Sequence, residues 1–133
     1  MNICETLESM RPEGRAVFGI FHGSQILPRK ERIKKYNYYN LPEEFWRVIS
    51  LKEAEKALIE SYCYHPESNR KLLEESDIEI LIKDFLSTFP SEAEIRTNDS
   101  LEAVSKNSFF DTTILIELNG VVGLACIEDQ QES

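Results

Sequence analysis

The sequence predicts an α+β domain: a small, mostly antiparallel sheet packed by several helices. Three observations carry that prediction. Residues 109–118 and 121–128 are both strand-like and are joined by Asn119-Gly120, a dipeptide that tolerates the positive φ angles of a type I′ hairpin turn. Residues 15–21, Arg15-Ala-Val-Phe-Gly-Ile-Phe21, are rich in strand formers and supply the third strand that a lone hairpin needs. Ile78, Leu81, Ile82, Phe85, Leu86 and Phe89 recur at helical spacing, the strongest such stripe in the chain.

The remaining elements follow in order. Ile3, Leu7 and Met10 fall at i, i+4 and i+7, which predicts a short amphipathic helix over 2–10, ended by Pro12 and Gly14. His22-Gly-Ser24 reads as a turn after the first strand. Pro28 is placed to open a short helix over 29–35. Asn37, Asn40 and Pro42 make a loop, and residues 43–49 read as one or two helical turns that bring Phe45 and Trp46 near the core. Ser50 with Glu53 forms a capping box for a helix over 51–64, whose apolar face carries Leu51, Ala54, Leu58 and Tyr62.

After Pro66, residues 67–75 read as a short polar helix. Ser76 with Glu79, or Asp77, is the expected cap for a helix over 78–89. Residues 93–97 fit an edge strand. In the hairpin, a two-residue loop sets Leu118 opposite Val121, Ile116 opposite Gly123 and Ile114 opposite Ala125. Large side chains on one strand then face small ones on the other, and the helix over 78–89 is expected to lie close above Gly123 and Ala125. No repeat or Gly/Ser linker divides residues 1–133, so a single domain is expected, with the polar tail 129–133 frayed.

Composition bounds the function. Hydrophobic residues make up 41% of the chain and charged residues 29%, which suits a globular protein. No apolar run reaches the ~20 residues of a membrane helix, and the acidic first residues lack a leader's charge pattern, so a cytoplasmic protein is expected. Cys4, Cys63 and Cys126 form no close pair and fit a reducing compartment. The net charge is −9, unevenly spread: residues 1–40 hold seven basic and four acidic residues, and the rest hold eight and twenty. The acidic part should repel phosphate backbones and attract basic partners.

Motifs that name a chemistry are missing. His22 follows a strand, but no catalytic partner is identifiable in sequence. Cys63 and His65 stand close enough to be nucleophile and base, yet a closed zinc site needs four ligands and no second pair has ligand spacing. A histidine at a helix C-terminus is explained by the helix dipole. No phosphate-binding, dinucleotide or calcium-loop pattern occurs, and no cofactor or metal is expected. The segment Arg29-Lys-Glu-Arg-Ile-Lys-Lys35, followed by Tyr36-Asn-Tyr-Tyr39, has the charge and rings of a single-stranded nucleic-acid site, but the strongly acidic chain argues against that role.

These features lead to the expectation of a non-catalytic acidic protein that inhibits a basic protein partner. Immunity proteins, which neutralise a nuclease-type bacterial toxin in the producing cell, are a functional class of this kind; the likeness is one of class, and no residues carry it. The expected contact surface is the acidic cluster Glu74, Glu75, Asp77 and Glu79, with Tyr38 and Tyr39 as aromatic anchors. The alternatives are a nucleic-acid-associated or DNA-mimicking protein, and a small enzyme using His22 or Cys63.

Overall fold

The computed structural model describes residues 2–22, 46–98, 109–118 and 120–130. These residues form three helices and a five-stranded antiparallel sheet, a small α+β fold. The elements are α1 (Ile3–Met10), β1 (Arg15–His22), β2 (Arg47–Ile49), α2 (Leu51–Cys63), α3 (Glu75–Ser87), β3 (Glu94–Thr97), β4 (Phe109–Leu118) and β5 (Val121–Gln130). The strand order is β1-β5-β4-β3-β2.

The hairpin dictates the rest of the sheet. Gly120 sits at φ 87°, as the Asn-Gly turn requires, and Leu118, Ile116 and Ile114 pair with Val121, Gly123 and Ala125. β1 then adds antiparallel to β5, with Phe18 opposite Ala125. Strand alternation sorts the side chains. Ala16, Phe18, Ile114, Ile116, Ala125 and Ile127 face the helices and meet Leu7, Leu58, Tyr62, Ile78, Ile82 and Phe85 in the main core. Leu115, Leu124 and Cys126 face the other way and cluster with Trp46.

The small residues on β5 set the height of the helical layer. A Cβ at position 123 would collide with the ring of Phe89, so glycine is what lets the end of the α3 segment rest on the sheet. From there Phe89, Phe85 and Phe18 run edge to face across the core, with centroids 5.4 and 5.1 Å apart.

Several local expectations change. Residues 47–49 are strand β2 rather than helix. Ser50 caps α2 from extended backbone, with both halves of the capping box made by Glu53, so the chain ahead of it is already extended. β3 then offers pairing through Ile49 and Ile95. Residues 43–45 lie outside the described residues. Leu51, predicted on the apolar face of α2, is 51% exposed, whereas Ala54, Leu58 and Tyr62 are fully buried.

Residues 67–75 do not form a helix of their own. The chain turns at 66–68, Asn69 takes the left-handed conformation at φ 57°, and Tyr64 bridges to Lys71. The carbonyl of Cys63 accepts from the Leu72 N–H at 2.7 Å, which closes the end of α2 instead of starting a new helix. α3 begins earlier than predicted. Its N-cap is Glu74, without a side-chain capping bond, and Ser76 and Asp77 sit inside the first turn. β3 is not an edge, because β2 covers its outer side. Asp129, assigned to a frayed tail from the sequence, instead lies near the end of β5 and is buried; residues 131–133 lie outside the described residues.

The burial of Asp129 has a partner. The Arg11 guanidinium meets its two oxygens at 2.5 and 2.8 Å in a buried, two-pronged ion pair. The same guanidinium donates to the carbonyls of Tyr62 (3.0 Å), Ser61 (3.1 Å) and Glu13 (2.7 Å). Arg11 therefore neutralises a buried carboxylate and satisfies carbonyls at the end of α2, where a cation also suits the helix dipole. Gly14 turns the chain beneath it at φ 71°, where a side chain would strike both charged groups.

Tyr62 adds a pH-dependent element to this core. Its hydroxyl donates to the Leu7 carbonyl, and burial pushes its pKa up to about 12. The folded value lies above the unfolded value of ~10. Its contribution is thus present below pH ~10 and is lost as the pH climbs through about 12, by roughly 2–3 kcal/mol in all. The thiol of Cys63, raised to about 11 by burial, acts in the same direction. Urea unfolding between pH 8 and pH 12 (about the range of the two groups) should show this decline. In Tyr62→Phe the decline should be shallower; an unchanged slope would remove Tyr62 as its source.

Candidate functional site at the acidic α2–α3 corner

α2 and α3 are joined by residues 64–74, and that connector brings the predicted acids together at one corner. Glu74 caps α3, Glu75 and Asp77 occupy its first turn, and Glu79 lies one turn further. Carboxylates are stable here because the N-terminal end of a helix carries unpaired N–H groups and a partial positive charge. Glu74, Glu75 and Asp77 are exposed and Glu79 is half-buried.

The acids differ in their surroundings. Glu74 pairs with Lys71 at 2.6 Å and Glu79 with Lys83 at 2.8 Å, and each contact raises the lysine's pKa. Lys83 also reaches Glu55 at 3.7 Å and ties α3 to α2. Glu75 accepts from the Tyr64 hydroxyl at 2.8 Å, and that bond is the main cause of the upward shift of the phenol. Asp77 has no side-chain partner among the described residues. The cluster is therefore partly compensated, and Asp77 is its most available carboxylate.

Beside these acids lies a cavity of about 480 Å³. Among the described residues its walls include Glu60 from α2, Tyr64, His65 and Asn69 from the connector, Glu75 from α3 and Thr112 from β4. The Ser61 hydroxyl donates to that of Thr112 at 3.0 Å and fixes the floor between helix and sheet. His65 is buried. Its backbone N–H donates to the Arg70 carbonyl at 2.9 Å, and its ring Nδ1 accepts from the Glu67 N–H at 3.2 Å.

The suspected reactive groups do not assemble here. Cys63 is fully buried, and its pKa of about 11 holds it as a thiol, opposite to the lowered value of an attacking thiolate. His22 ends β1 opposite Val121, at the start of β5. Asp129 and the end of α2 lie at the other end of that strand, roughly 25 Å away at the usual rise per residue. Among the described residues no group of three His, Cys, Asp or Glu is placed to hold a metal ion. No helix among them is long and apolar enough to cross a membrane.

Tyr38, Tyr39 and the basic segment 29–35 lie outside the described residues. Sequence reasoning found the acids but missed Glu60, Tyr64, Asn69 and Thr112 as neighbours of Glu75. A clue was present in Tyr64-His-Pro66, where proline after a helix marks a chain reversal, but nothing local places Thr112 beside it. No protein-family model matches the chain, and no curated protein matches it significantly.

Proposed function

We propose that this chain is an acidic binding protein that occupies a basic protein partner, in the manner of an immunity protein that neutralises a nuclease-type toxin in the cytoplasm. The observation that carries the reading is the exposed set Glu74, Glu75 and Asp77 at the start of α3, with Glu60 and Glu75 both lining the cavity beside it. The chain-wide charge of −9 points the same way. A partner surface that binds phosphate is positive, and an acidic surface reaches it fast because long-range attraction guides the encounter.

The direct test uses a purified basic nuclease domain encoded beside this gene. Stoichiometric inhibition is expected, with affinity falling as salt rises because surface charges are screened. Failure to bind at low salt, where the attraction is strongest, would remove the proposal.

A further inference from the structure

We propose that the cavity between α2 and α3 receives an arginine side chain from the basic partner. The inference rests on the proposed function and deepens it by naming what the site takes. Two carboxylates, Glu60 and Glu75, come from separate helices, and no lysine or arginine is among the described residues that line the space. Glu60 also pairs with Lys56 at 4.0 Å, an exposed contact that an incoming guanidinium would have to compete with, while an anion would face both carboxylates. A hard divalent ion takes six or more oxygen ligands, and the described residues offer it no cluster of three acidic, histidine or cysteine side chains.

A guanidinium fits the remaining chemistry. It is flat, it stacks on aromatic rings, and its forked donors match carboxylates. Tyr64, half-buried at the cavity wall, is the aromatic residue available there; His65 beside it is buried. Tyr64 already donates to one oxygen of Glu75, which orients that carboxylate and leaves Oε1 without a partner among the described residues. Asn69 also lines the space. A volume of about 480 Å³ leaves room for a whole arginine side chain, aliphatic stem included.

The experiment is an amide-resolved NMR titration of the full chain with N-acetyl-arginine amide, with N-acetyl-lysine amide as comparator. Saturable shifts are expected at Glu60, Tyr64, His65, Asn69 and Glu75, stronger for arginine. In Glu60→Gln/Glu75→Gln the affinity should fall at least roughly tenfold, as expected for lost charge-assisted hydrogen bonds. Glu92→Lys, exposed in the turn beyond the far end of α3 and outside the cavity lining, should leave arginine-amide binding in place. The partner should shift the same resonances and be displaced by the amide.

Shifts elsewhere, a response that does not saturate, or equal binding by the double variant would overturn the assignment. So would a partner that binds without touching these resonances; the cavity would then serve a free small cation or nothing. Partner binding without amide binding ends this inference and spares the proposed function. Amide binding with no basic partner ends the proposed function and, with it, the partner as the source of the guanidinium.

Discussion

Asp129→Ala should destabilise the protein by about 3–5 kcal/mol, because it leaves the Arg11 charge buried without its counterion. The pair is closed from solvent on both sides, and the guanidinium is fixed by carbonyls from Glu13, Ser61 and Tyr62, so it cannot swing out to water without uncovering those acceptors. Urea unfolding should show a lower midpoint with an unchanged slope. Arg11→Met/Asp129→Leu should recover part of the loss by removing both charges, although the carbonyls at the end of α2 stay unsatisfied. A small effect for Asp129→Ala would mean that water reaches Arg11. The pair also matters for the cavity, since Ser61 and Tyr64 sit on the stretch of chain that Arg11 holds.

Phe85→Ala should cost a similar amount, about 3–5 kcal/mol, through lost burial and the void left behind. Phe85 is fully buried on α3, and its ring meets Phe18 of β1 at 86° and Phe89 at 72°. It therefore joins the helical layer to the sheet at the centre of the aromatic row, where neighbours on both sides limit collapse into the gap. Phe85→Leu should cost less, since it keeps most of the volume. Thermal unfolding of the two variants would rank them, and equal costs would mean that ring geometry rather than volume sets the loss.

Legibility in the sequence followed the range of the interaction. The hairpin register was readable because a two-residue Asn-Gly turn leaves one pairing, and the helix above Gly123 because large residues faced small ones across it. β2 was not readable. Val48 and Ile49 favour a strand, but three residues are too few to show an alternation, and their pairing partner lies far along the chain in β3. The reading of 67–75 as helix failed because Asn69 adopts a left-handed backbone and the end of α2 captures the following N–H groups. Arg11 and Asp129 are 118 positions apart, and no local pattern joins them. The acids of the candidate site were visible as a dense run, whereas the cavity needs α2, the connector and β4 to converge.

The central claim is that surplus carboxylates at the α2–α3 corner guide this protein onto a basic partner. Stopped-flow association of that partner with wild type and with Glu74→Lys/Glu75→Lys/Asp77→Lys measures it directly. At low salt the reversed variant should associate about 10–100-fold more slowly, and added salt should narrow the gap. Equal association rates at low salt, with both proteins folded, would contradict the account and move the contact surface away from this corner.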